Sequence, residues 1–294
     1  MSTAQGLTNQ DIARVDCHQH FWQLSHGYYS WLTPELKHIY QDFLPQDLAP
    51  ALKVQNVTQT VLVQAADTDK EIDFLLNIAN NTEFVAGVVA WVDMEQPFVL
   101  NQLKSLLMNP YFKGIRPMLQ DIDDENWILK DQFSLVFKFL AENQLTFDAL
   151  ITDIHLANIH ILAQRYPTLS IVINHCAKPD LSKGPSSVWH RKMLDISTCE
   201  NVYIKFSGLL TQAPQGPVTV ETIQPYFDHI MAAFGPDRIM WGSDWPVMKL
   251  NGDYDTWISL TQSLLKNYSL KDKRKIWASN AQKFYKLPPY QVER

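Results

Sequence analysis

Thr60-Val61-Leu62-Val63 is apolar at three consecutive positions, and Ile171-Val172-Ile173 repeats the pattern later in the chain. Side chains along a strand alternate between its two faces, so an unbroken apolar run implies burial on both. That points to a parallel sheet covered by helices, not to an antiparallel sheet with one wet face. Working outward from these runs, similar short β-branched segments predict strands over residues 13–18, 58–64, 86–92, 112–118, 146–150, 170–174, 202–207 and 238–242. Between them, 69–80 places Ile72, Leu75, Leu76 and Ala79 at the 3.6-residue spacing of an amphipathic helix. Segments 98–107, 132–143, 155–166, 188–198 and 220–234 read the same way, with Asp153 as the expected N-cap of the helix holding His155. Eight strands alternating with helices predict an α/β fold of the (β/α)8 TIM barrel type. An open doubly wound sheet would begin with a glycine-rich turn, whereas the first strand here closes on His18-Gln19-His20.

Composition narrows the function. Hydrophobic residues make up 46% and charged residues 19%, which excludes a disordered or collagen-like chain. A formal net charge of −6 disfavours binding to a phosphate backbone, so no nucleic-acid partner is expected. No stretch is apolar for long enough to span a bilayer, and the polar first ten residues do not read as a signal peptide, so no membrane partner is expected. Cys17, Cys176 and Cys199 show no paired spacing and are expected to be free thiols in a reducing, cytoplasmic compartment. With no linker or charge block, residues 1–294 read as a single domain.

Four segments carry candidate chemistry. In Asp16-Cys17-His18-Gln19-His20, two histidines at i and i+2 share one face of a strand. At the C-terminal end of a barrel strand they would converge on the catalytic mouth, to bind a metal or an oxyanion. The competing reading is a pair of hydrogen-bonded loop histidines. His175 closes an apolar strand in the same way, and the bland alternative is a satisfied buried histidine. Asp244 follows the last strand and needs a partner if buried: a histidine, a metal or a water. Arg116 ends the fourth strand and offers a cationic fork to a carboxylate or carbonyl, or else makes a structural ion pair. Asp148, Lys205 and Ser207 are secondary candidates for the mouth, and Trp22, Tyr29, Trp31 and Trp245 for an aromatic wall around it. His26, His38, His155, His160, His190 and His229 are expected to be structural.

Taken in order, Asp16-Cys17-His18-Gln19-His20-Phe21-Trp22, Asn174-His175-Cys176-Ala177-Lys178-Pro179 and Trp241-Gly242-Ser243-Asp244-Trp245-Pro246 resemble the amidohydrolase superfamily. The branch is that of sugar lactonases such as L-fuconolactonase and L-rhamnonolactonase, with 2-pyrone-4,6-dicarboxylate lactonase a neighbour. The Arg116 segment and Lys205-Phe206-Ser207-Gly208-Leu209 add to the match, which spans 14–285. The resemblance implies a distorted (β/α)8 barrel and the opening of a sugar-acid lactone. It further implies that His18, His20 and His175 are catalytic, Asp244 is the general base toward water, and Arg116 binds substrate; Trp22, Asp148 and Trp245, read from their positions alone, are expected beside it. Many superfamily members bind two metals through a carboxylated lysine on strand four and a histidine on strand five. Arg116 and Asp148 stand there instead, so at most one metal is expected. Either none is required, or His18, His20 and Asp244 hold one divalent ion, zinc. A mononuclear zinc decarboxylase of the same barrel type and a non-enzymatic carbohydrate-binding protein are the alternatives. A homo-oligomer is left open.

Overall fold

The computed structural model describes residues 12–289. Eight strands form one sheet in chain order: β1 Arg14–Gln19, β2 Val57–Val63, β3 Val85–Ala90, β4 Phe112–Ile115, β5 Thr146–Ala149, β6 Ser170–Ile173, β7 Val202–Phe206 and β8 Ile239–Trp241. All seven consecutive pairings are parallel. The helices after β2 to β8 are α2 Lys70–Asn81, α3 Val99–Leu106, α4 Ser134–Glu142, α5 Leu156–Arg165, α6 Ser187–Ser197, α7 Val220–Phe234 and α8 Tyr254–Leu264, with α1 Pro45–Val54 after β1. This is a (β/α)8 barrel. No helix among the described residues is long and apolar enough to cross a membrane.

The unbroken apolar runs are buried on both faces, as their pattern requires. Val61 and Val63 join an inner cluster with Val15, Cys17, Val89, Val172 and Met240, while Leu62, Ile171 and Ile173 join the larger layer between sheet and helices. The inner cluster is completed by Phe284, Tyr285 and Leu287 from the C-terminal helical segment.

The barrel closes through the loop after β8. Asp244 N–H donates to His18 O at 2.8 Å, His20 N–H donates to Trp245 O at 2.7 Å, and Gln19 pairs with Trp245 as a parallel bridge. Asp16 reinforces the seam, accepting from Ser243 N–H at 2.8 Å and Tyr254 O–H at 2.9 Å. Closure thus ties the end of β1 directly to Asp244.

Three differences from the sequence reading have local causes. Helix α1 has no clear signal in the sequence because Pro50 lies inside it, yet Pro45 suits the first turn and burial of Leu48 and Leu52 holds the rest. Helix α8 and the C-terminal segment, α9 Leu270–Arg274, a π turn Lys275–Ser279 and α10 Asn280–Phe284, are additions to the expected elements. Asp153 is not the cap before α5. Thr152 takes that place, with its N–H and Oγ1 at 3.3 and 3.2 Å from His155 Nδ1, and Asp153 begins the 3-10 turn.

Candidate active site

The strand ends bring His18, His20, His175 and Asp244 together. Asp244 Oδ1 lies 3.7, 3.4 and 3.7 Å from the Nε2 atoms of His18, His20 and His175. All four side chains are buried. His18 is still on β1, while His20 lies one residue past it, its Nδ1–H donating to Val63 O at 2.7 Å. That bond leaves the His20 Nε2 lone pair facing the site, 3.2 Å from His18 Nε2.

His175 arrives by an unusual turn. His175, Cys176, Ala177 and Lys178 all have positive φ, between 50° and 59°, a conformation that L-residues enter at a cost. Lys178 N–H to His175 O at 2.8 Å and Trp189 Nε1–H to Cys176 O at 3.0 Å hold the turn. In so tight a turn residues three apart face the same way, and His175 and Lys178 both line the pocket. Gly208 is a second constraint: its φ is +66°, and a Cβ there would lie 2.5 Å from His175 Nδ1. Ser207 Oγ is 2.9 Å from that same nitrogen.

Burial sets the electrostatics. Desolvation lowers His18 well below the usual histidine range, with the Lys205 charge adding to the effect. It lowers His20 against the pull of Asp244, and pushes His175 down to about 3. The three imidazoles are therefore neutral at pH 7. For Asp244, burial works to raise the pKa, but the His175 imidazole and the Lys178 ammonium outweigh it and hold the carboxyl below its ordinary value. A buried carboxylate ringed by neutral imidazoles can take a proton from water.

His20, His175 and Asp244 face a cavity of about 430 Å³, lined also by Trp31, Ala65, Ala66, Arg116, Met118, Gln120, Asp121 and Lys178, while His18 lies behind them and does not line it. Arg116 is 3% exposed and donates to Gln64 O, while its Nε has no partner. Neither Arg116 nor Lys178 forms an ion pair among the described residues. Two cations without ion-pair partners beside this cavity suit a polarised or anionic oxygen.

Several expected site residues lie elsewhere. Trp22 is fully buried behind the pocket, donating to Gln41 O at 2.8 Å and packing edge-on against Trp31, which forms the aromatic wall in its stead. Trp245 packs against Phe21 and Phe43 and serves the barrel seam. Asp148 lies inside the barrel, where Lys205 pairs with its Oδ2 at 2.6 Å and Tyr285 O–H donates to the same oxygen at 2.8 Å. None of the three lines the cavity. Lys178, Gln120 and Asp121 do, although the sequence does not single them out. Lys178 stands within the histidine motif, but nothing in its neighbours' identities announces a left-handed turn. Of the remaining histidines, His190 and His229 stack at 3.9 Å away from the cavity.

The donor atoms of His18, His20 and Asp244 lie within 4.8 Å of one another, close enough to surround one metal ion. His20 and Asp244 each present a lone pair. His18 differs: Lys205 Nζ stands 3.2 Å from its Nδ1, where a metal-bound imidazole needs an acceptor for its other ring proton. As hydrogen-bonded, the triad does not fit an ion that requires all three ligands.

The family model described as Amidohydrolase matches residues 15–287. The chain is 40% identical to an L-fucono-1,5-lactonase of Burkholderia ambifaria, over 93% of this chain and 96% of that protein. A second L-fucono-1,5-lactonase, from Burkholderia multivorans, is 29% identical over 94% of this chain and 96% of its own length. A Burkholderia multivorans amidohydrolase crystallised with bound zinc superposes with a TM-score of 0.89 at 28% identity, covering 94% of this chain and all of that one.

Proposed function

This chain belongs to the amidohydrolase family, and we propose that it hydrolyses a sugar-acid lactone of the L-fuconolactone class. The observation that carries the reading is the single carboxylate oxygen of Asp244 ringed by three neutral imidazoles and facing the pocket. The similarity to two L-fucono-1,5-lactonases supplies the substrate class.

Asp244 takes a proton from a water held over the lactone carbonyl. The hydroxide oxygen bonds to the carbonyl carbon, and the carbonyl electron pair moves onto its oxygen. Arg116, Lys178 and His175, which line the pocket, stabilise that oxyanion. The tetrahedral intermediate collapses, the ring C–O bond breaks, and the protonated Asp244 returns its proton to the departing ring oxygen. Trp31, Gln120 and Asp121 border the sugar face of the pocket.

A panel of aldonolactones, followed with a pH indicator in the presence and absence of chelator, tests the reading. Acid release from a sugar lactone, undiminished by chelator, is expected. Inertness toward the whole panel would remove the proposal and favour a non-enzymatic carbohydrate-binding role.

A further inference from the structure

Lys205 on β7 is fully buried, and the mechanism above uses no part of it. A lysine ammonium has three protons and no lone pair. Each of the three has a target. Asp148 Oδ2 lies 2.6 Å from Nζ, the ring of Tyr285 is centred 5.2 Å away, and His18 Nδ1 is at 3.2 Å. Asp148 also accepts from Tyr285 O–H at 2.8 Å, Asn174 Nδ2 at 3.4 Å and Thr146 Oγ1 at 3.2 Å. Four donors converge on this carboxylate, so it is the negative member of the pair and Lys205 the positive one.

We propose that Lys205 is a positioning residue that holds His18 as its Nε2–H tautomer, a hydrogen-bond donor toward His20 and Asp244 and not a metal ligand. The chemistry leaves one arrangement. Lys205 can only donate, so His18 Nδ1 must accept. A neutral imidazole has one ring proton, and that proton is then on Nε2. There it meets the free lone pair of His20 Nε2 at 3.2 Å and Asp244 Oδ1 at 3.7 Å. His20 passes the sense onward, donating from Nδ1 to Val63 O. The chain Lys205, His18, His20, Val63 carbonyl runs in one direction only, and reversing it would make Lys205 an acceptor at the expense of its ion pair. Metal ligation by His18 Nε2 would force the ring proton onto Nδ1, directly against Nζ. A metal-bound histidine ordinarily gives that proton to a carboxylate or carbonyl, and Lys205 stands between Nδ1 and the carboxylate of Asp148.

The tautomer assignment is independent of the substrate. Only the bearing of this tautomer on the placement of Asp244 for catalysis rests on the lactonase reading. Nitrogen-15 NMR of histidine-labelled full-length protein, with His18 assigned through the H18N variant, reads the tautomer directly. The metal-free wild type is expected to show His18 protonated on Nε2 and bare on Nδ1, and protonation on Nδ1 would overturn the proposal. Zinc affinity supplies the second readout, measured by competition with a chromophoric chelator. Lys205 and Asp148 are replaced together as K205M/D148N, because K205M alone strands a buried carboxylate. The pair variant should bind zinc about 10- to 100-fold tighter than wild type, with His18 Nε2 as a ligand. Equal affinities would contradict the role of Lys205. Should the variant not fold, the wild-type spectrum alone decides, and neither readout depends on any lactone being turned over.

Discussion

Replacing Gly208 by alanine should cost activity as well as stability, whereas the same change at a glycine with like backbone strain away from the site should cost stability alone. The new Cβ would sit 2.5 Å from His175 Nδ1 and 2.6 Å from Cγ. Ordinary contact needs roughly 3.5 Å or more, so the imidazole must retreat by about 1 Å. The same shift pulls it from Ser207 Oγ, now at 2.9 Å, and from its place beside Asp244. A misplacement of about 1 Å can lower a rate about 10²-fold, which is the expected fall in kcat. The stability loss has two parts: about 1–2 kcal/mol for alanine in the left-handed region at φ +66°, and about 1–3 kcal/mol for overpacking. Gly184 separates them. Its φ is +76° and a methyl added there would meet nothing within 4 Å, so G184A should show only the first part and keep wild-type kcat. Steady-state lactone hydrolysis and thermal melts on both variants make the comparison. If G208A kept kcat within about threefold of wild type, a change far below that expected for such a displacement, the placement of His175 would not matter to the reaction.

Two further outcomes are expected. Since the Asp244 carboxyl is held below its ordinary value by the His175 imidazole and Lys178 in spite of burial, kcat/KM should stay flat as pH falls from 7 and decline only below the usual carboxylate pKa of about 3.9. The depressed value also contributes stability above the unfolded carboxylate pKa that is lost as pH falls through the folded one, whereas an acid limb near about 6.5 would indicate an imidazole base. Lys178→Met should lower kcat/KM about 10- to 100-fold, the range for losing a hydrogen bond to a charged group. Its melting temperature should move by no more than about 2–4 °C, the scale of roughly 1 kcal/mol, because Lys178 makes no direct ion pair among the described residues, and unchanged kinetics would take it out of the site.

The barrel was legible because its strands declare themselves locally. Val61, Leu62 and Val63 are apolar in succession since each needs cover, two from the inner cluster and one from the helix layer. The meeting of His18, His20, His175 and Asp244 followed once their strands were placed in a closed ring, because every one of them sits at or just past a strand's C-terminal end. Side-chain direction was harder. Trp22 and Trp31 are both tryptophans near the first strand, and only tertiary packing decides that Trp31 lines the cavity while Trp22 backs it. Asp148 was expected at the mouth, but on β5 it points into the barrel, where Lys205 supplies the counter-charge from a strand two places away. Lys178 reaches the cavity through four consecutive left-handed residues with no glycine among them, a conformation imposed by surrounding contacts.

Asp244→Asn tests the central claim most directly. The amide is nearly isosteric and keeps the backbone bond to His18 O, but it cannot take a proton from water. Measured on the sugar lactone that wild type hydrolyses best, kcat should fall about 10²- to 10⁴-fold with KM little changed, since the lost interaction develops in the transition state. Retention of more than about a tenth of wild-type kcat, well above that range, would show that Asp244 is not the base.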